Sequence, residues 1–278
     1  MNDYDPEKVQ IRPAATVMLI DDRPDLQVYM LERHAHTVFA GGMWVFPGGA
    51  VDHQDDANYY RDIATHRTDR EASELMDLES GGLAYYMAAI RETFEEAGIL
   101  LALHKENESP LHISDEDETR YDRYRDDLNA GDIELKQILE AEELLADVGQ
   151  MHYIARWITP QGPPRRFDAR FFIARIPSNQ VPVHDDGELV NSAWLTPAEI
   201  LDRIAREEMV LMTVTERMIR SLALFDSAEQ VIEAASKNLP DERARVNPET
   251  GKIVMPGEPG YNTGRKDVEN GWVRLRPF

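Results

Sequence analysis

The chain has 278 residues, about twice the ~150 of a typical domain, so one domain with large insertions competes with two small ones. Hydrophobic residues make up 42% and charged residues 29%, the balance of a globular chain with a real core. The absence of cysteine excludes a disulfide framework, a thiol nucleophile and a Cys-ligated metal. Thirty Lys and Arg against 52 Asp and Glu leave a net charge of −22, which repels a nucleic-acid backbone and argues against a nucleic-acid partner. The opening MNDYDPEKVQ is polar and acidic, and no run nears the ~18 apolar residues of a membrane helix. The expectation is a cytoplasmic protein without a membrane partner.

In chain order, ATVMLI from Ala15 to Ile20, the turn DDRPD and then LQVYMLER predict a β-hairpin. A short extended piece from Met43 to Phe46 stops at Pro47-Gly48-Gly49, and the polar stretch from Asp52 to Gly82 is helical in parts. Tyr85 to Ala97 reads as a helix free of internal Pro and Gly, with Gly98 at the C-cap. The stretch from Lys105 to Gly149, rich in Asp, Glu and Arg, predicts a solvated helical insertion. Strand signals return at Tyr153 to Thr159, Arg170 to Ile176 and Ser192 to Leu195, with helices over 197–207 and 213–225. Beyond Asn238 the pattern predicts a small hairpin and an irregular tail.

The chemistry concentrates in RETFEEAGI, Arg91 to Ile99. On a helix, Glu92, Glu95 and Glu96 stand at i, i+3 and i+4 and project from one face. Three adjacent carboxylates repel one another; they are tolerated when solvated, and become useful when a divalent cation such as Mg²⁺ or Mn²⁺ neutralises them. Arg166, Asp168 and Arg170 share one face of a strand by the period of two. Arg166 and Arg170 are candidates for substrate phosphate, with structural pairing to Asp168 as the alternative; Arg33 is a further candidate. Trp44 and Phe46 read as core. His184 is a candidate proton shuttle, while His34 and His36 lack a third ligand at metal-binding spacing.

The segment from Arg91 to Ile99 resembles the second half of the Nudix box, G-x5-E-x7-R-E-U-x-E-E-x-G-U, with Thr93 in place of the first bulky apolar residue. Gly49 followed six residues later by Asp55 reproduces the first half, with Asp for Glu, behind WVFPGG. Thirty-five residues separate Asp55 from Arg91 where the pattern has 7, an insertion of 28 within the box. Such an interrupted box, followed by ARWITP and RFDARFF, is similar to the branch of Nudix hydrolases that includes the peroxisomal coenzyme A diphosphatase of animals and its bacterial relatives.

The resemblance implies an α/β (α+β) fold, the Nudix α/β/α sandwich with a mixed central sheet and helical insertions. It spans about residues 10–226, with insertions at about 56–83 and 105–149, and a C-terminal helix, hairpin and tail over 227–278 packed on it. It also implies metal-dependent hydrolysis of a pyrophosphate bond in a nucleoside diphosphate linked to another moiety, a small-molecule nucleotide substrate with coenzyme A or acyl-CoA as the first choice. ADP-ribose or NADH-type dinucleotides, and a non-catalytic nucleotide sensor, are the alternatives. On that reading Glu95, Glu96, Glu92 and the Gly49 carbonyl hold Mg²⁺ or Mn²⁺. Glu92 is a further ligand or the base, Arg91 orients the carboxylates, and Glu188, a few residues ahead of Trp194, supplies a later carboxylate. Relatives of this kind often pair as homodimers.

Overall fold

The computed structural model describes residues 6–37, 40–184, 189–264 and 266–278. The chain opens with the hairpin β1 (Ile11–Asp22) and β2 (Leu26–Arg33), followed by β3 (Trp44–Val45) and β4 (Gly48–Ala50). Two 3-10 turns, His53–Asp55 and Ala57–Tyr59, and β5 (Ala64–Thr65) lead to α1 (Asp69–Leu75). This helix starts in a capping box: the Glu71 amide donates to the Thr68 hydroxyl while the Thr68 amide donates to the Glu71 carboxylate. α2 (Gly82–Ala97) follows and ends at Gly98, whose φ of +68° suits glycine.

Next come β6 (Ala102–His104), α3 (Asp115–Ala130), α4 (Leu135–Ala141), β7 (Leu144–Asp147), β8 (His152–Ile158), β9 (Arg166–Arg175) and β10 (Leu189–Leu195). The chain closes with α5 (Pro197–Ala205), α6 (Thr213–Leu222), α7 (Ala228–Ser236), β11 (Glu242–Val246), β12 (Ile253–Val254) and β13 (Lys266–Val273).

The main sheet runs β10-β2-β1-β9-β8-β13-β11-β12, with β3 added to β2 and β4 to β1. It is mixed, because β1 and β9 are parallel over Ile11–Ile20 and Arg166–Arg175 while the other pairs are antiparallel. β1 shows why its sequence is apolar on both faces: Ala15, Val17 and Leu19 enter one core and Met18 and Ile20 the other. The first core is roofed by α2 through Leu83, Tyr86, Met87, Ile90 and Phe94. The second is roofed by α5, α6 and α7 through Ile200, Met218, Ile219, Leu222 and Val231. These layers are helix, sheet, helix.

Two stretches depart from the sequence expectation. The acidic insertion is not wholly solvated: α3 buries Tyr121, Arg125 and Leu128, and β6 and β7 join β5 in a second, three-stranded sheet. The segment after Asn238 is not an irregular tail, since β13 docks antiparallel on β8 and carries β11 and β12 with it. KDVENGWV lacks the alternation that announces a strand, and it is held by the backbone ladder and by the Trp157 ring lying on Gly271. Among the described residues no helix is long and apolar enough to cross a membrane.

A Cβ at Gly271 would stand 2.4 Å from the Trp157 ring. Gly271→Ala should therefore lower stability by about 1–3 kcal/mol through overpacking, read as a shifted urea midpoint with an unchanged m-value; an unshifted midpoint would show that β13 is not bound tightly to β8.

Candidate active site

α2 is helical because Ala, Leu, Met and Glu dominate it and no Pro or Gly interrupts its interior. Its apolar stripe, Leu83, Tyr86, Met87, Ile90, Phe94 and Ala97, docks on the sheet and fixes the helix rotation. Arg91, Glu92, Glu95 and Glu96 thereby face β4. Thr93 is fully buried in place of a bulky apolar residue; its hydroxyl donates to the Ala89 carbonyl at 2.7 Å, so the polar atom is satisfied.

Arg91 is the hub. Its Nε and Nη2 donate to the two oxygens of Asp55 at 3.0 Å each, Nη2 also to the Ala50 carbonyl, and Nη1 to Glu92 and Glu95 at 2.8 Å each. The shorter Asp55 reaches because a 3-10 turn holds it: the Asp52 amide donates to Asp55, and Asp52 caps the turn. Asp55 is fully buried and Arg91 nearly so. Burial raises the Asp55 carboxyl above the usual range, and the Arg91 guanidinium pulls it back in part. Burial also opposes the Arg91 charge, yet Asp55, Glu92 and Glu95 outweigh it and hold the guanidinium protonated.

The three helical glutamates have different settings. Glu92 lies against Gly49, where a Cβ would stand 2.3 Å from its Oε1, so only glycine lets the carboxylate approach this strand. Glu96 accepts from the Gly48 amide at 2.8 Å and lies 3.8 Å from Arg33. Glu95 is pushed up to about 7 by burial, reinforced by Glu92 and opposed by Arg91. Each of the three side chains is 13–14% exposed, enough to meet a ligand.

Two elements hold the helix end. Arg125 of α3 donates from Nε to the Glu95 carbonyl at 2.8 Å, and the Val183 amide donates to the Ala97 carbonyl. The insertion thus touches the centre, a role its solvated-looking sequence does not announce; the one signal was a long cation among the acids of α3. His184 follows Val183 and lies 3.0 Å from the Ser192 hydroxyl. Glu188, with Asp185 and Asp186, lies outside the described residues.

Arg166 donates to the Thr159 carbonyl. Arg170 is fully buried, 3.3 Å from Asp168 and over the Tyr85 ring, while Arg156 takes Asp168 bidentately at 2.7 and 2.8 Å. Asp168 therefore pairs with a second arginine as well as with Arg170. Trp44 and Phe46 are core, Trp157 is buried, Trp194 packs on Tyr29 and Arg23, and His34 and His36 stack on each other.

Among the described residues no three acidic or histidine side chains already surround one point as a metal cage. The donor chemistry nevertheless fits a hard divalent cation. Asp55, Glu92, Glu95 and Glu96 against Arg33 and Arg91 leave a local charge of −2, carried on oxygen donors beside the Gly48–Gly49 backbone.

A family model described as the NUDT19 Nudix domain matches residues 69–214, more than half of the chain. The chain belongs to this Nudix family. The Nudix helix, α2, lies inside the match, whereas Gly49, Asp55 and β11 to β13 lie outside it. A crystal structure of a Nudix hydrolase from Alicyclobacillus acidocaldarius is similar, with 28% identity and a TM-score of 0.66 over 81% of this chain and 97% of that one. That neighbour carries the same mixed α/β fold. Curated relatives include the acyl-coenzyme A diphosphatase NUDT19 of Xenopus laevis, 25% identical over 207 residues, 64% of this chain and 54% of that protein. The human protein of that name is 25% identical over 232 residues, 72% of this chain and 61% of its own length. The chain thus spans less than two thirds of the length of these two relatives.

Two outcomes test the geometry. Asp55→Asn strips the charge from a fully buried ion pair and should cost about 3 kcal/mol or more by chemical denaturation; a loss below ~1 kcal/mol would remove Asp55 from the hub. In the folded protein Glu95 holds a proton up to about pH 7, while the unfolded chain releases it near 4.5. The wild-type carboxyl therefore costs stability as pH rises through that window. Measured in chelator, Glu95→Gln should match wild type at the acid end and become progressively more stable than wild type toward about pH 8; a pH-independent difference refutes the assignment.

Proposed function

We propose that the chain hydrolyses a pyrophosphate bond in a nucleoside diphosphate linked to another moiety, using Mg²⁺ or Mn²⁺, and that coenzyme A or an acyl-CoA is its substrate. The observation that carries the reaction class is the convergence of Glu92, Glu95 and Glu96 on Arg91 and Asp55 beside the Gly48–Gly49 turn. The substrate rests on the name borne by the curated relatives.

A phosphoanhydride resists water because its oxygens repel the incoming nucleophile. A divalent cation bound by Glu92, Glu95, Glu96 and the Gly49 carbonyl supplies Lewis acidity there, offsetting that charge. Arg91 keeps two carboxylates side by side against their repulsion, and Asp55 keeps Arg91 in place. Glu92 is suited to accept the proton of an attacking water, because its carboxylate is held between the Arg91 guanidinium and the Gly49 backbone. Glu188 remains a candidate for a further carboxylate on the strength of its position before Trp194.

Purified protein incubated with Mg²⁺ or Mn²⁺ and coenzyme A should release adenosine 3′,5′-bisphosphate and phosphopantetheine, identified by mass, against ADP-ribose and NADH as competitors. Glu96→Gln keeps the hydrogen bond from Gly48 but removes metal charge, so turnover should fall about 100-fold or more with little change in stability. Equal turnover by wild type and Glu96→Gln at saturating metal would defeat the reading, and preferential cleavage of ADP-ribose would replace the substrate.

A further inference from the structure

The printed registers place six residues in one line across the main sheet: Gly49 of β4 opposite Ala15 of β1, Ala15 opposite Arg170 of β9, Arg170 opposite Arg156 of β8, Arg156 opposite Trp272 of β13, and Trp272 opposite Arg243 of β11. Residues opposite one another in a ladder project from the same face, here the face that carries the Nudix helix, since Gly49 meets Glu92 and Arg170 lies under Tyr85 of α2. With strands ~4.8 Å apart, Arg170 stands about 10 Å from Gly49 along this line, Arg156 about 14 Å and Arg243 about 24 Å.

The charge along the line changes sign. The Gly49 end holds the −2 cluster. At the other end Arg156 and Arg170 share the single carboxylate of Asp168, and Arg243 donates to the backbone carbonyls of Val268 and Glu269; among the described residues it has no carboxylate in ion-pair contact. Three guanidiniums against one carboxylate give +2, in a protein whose net charge is −22. Arg170 is fully buried with Nε and Nη2 lacking a hydrogen-bond partner, so its charge is only partly compensated from within the fold. The Trp272 ring separates the outer two cations, with the Arg243 guanidinium 4.0 Å and that of Arg156 5.1 Å from its centroid, and Arg156 retains 31% exposure.

We propose that this arginine–tryptophan row, completed by β11 and β13, binds a phosphate monoester that the nucleotide substrate carries on its sugar, remote from the scissile anhydride. The inference rests on the hydrolase reading above and deepens it. A dianionic phosphate matches the +2 end while the anhydride and its cation occupy the −2 end, and the 10–14 Å step to Arg170 and Arg156 suits the span from an anhydride to a second phosphate on the same nucleoside. Asp168 orients Arg156 bidentately, and Arg170 beneath prevents Asp168 from cancelling it.

The test compares coenzyme A with 3′-dephospho-coenzyme A as substrates of the full chain, in wild type, Arg156→Gln and Arg243→Gln, with thermal melts to verify folding. Wild type should favour coenzyme A by about tenfold or more in kcat/KM, and that preference should shrink toward unity in each folded variant. Calorimetric titration with adenosine 3′,5′-bisphosphate and with AMP gives a second readout that does not depend on turnover: the bisphosphate should bind wild type more tightly than AMP, and the variants should lose that advantage. If neither coenzyme is cleaved but the bisphosphate preference disappears in the variants, the hydrolase reading fails and the phosphate row stands. If coenzyme A is cleaved and both preferences persist in folded Arg156→Gln and Arg243→Gln, the row is overturned and the hydrolase reading stands.

Discussion

The buried ion pair between Arg91 and Asp55 is the constraint on which the site depends. It joins two pieces of chain 36 residues apart, the 3-10 turn after β4 and the C-terminal half of α2. A guanidinium removed from water must be matched by its full set of acceptors, and Arg91 finds them in Asp55, Glu92, Glu95 and the Ala50 carbonyl. That requirement places β4 against the helix, presses Glu92 onto Gly49 and aims Glu96 at the Gly48 amide. The same pairing leaves the centre short of positive charge by two, which is what suits it to a divalent cation.

The insertions work around this hub. The 28 residues within the box form their own small elements, including α1 and β5, and leave the Asp55–Arg91 contact intact. The acidic insertion returns Arg125 to the Glu95 carbonyl, where helix carbonyls lack intrahelical partners. A strongly acidic surface segment thus contributes one cation at the place where the helix end needs it.

The legible parts of the sequence were those set by short-range periodicity. The i, i+3, i+4 spacing of Glu92, Glu95 and Glu96 announces a shared face, and the apolar runs of β1 and β2 announce a hairpin, because 3.6 and 2.0 residue repeats act locally. Alternating apolar residues likewise marked β8 and the later part of β9. Less legible were the polar strand β13, the three-stranded sheet of β5, β6 and β7, and the fate of Arg170. KDVENGWV has no pattern of its own and forms a strand because β8 offers an edge. Arg170 reads like a surface cation, yet Tyr85 covers it.

From the sequence alone come the carboxylate cluster, the interrupted box and the order of most strands and helices, since each depends on neighbours within a few turns or on a spaced motif. Tertiary structure alone decided that Asp55 is long enough, that Thr93 is satisfied by its own helix, that Arg125 reaches the site from an insertion, and that Arg156, Trp272 and Arg243 share one sheet row with Gly49. Those facts depend on strand register and on which charges are buried together, and both are set by contacts between residues tens to hundreds of positions apart, whose pairing no local pattern encodes.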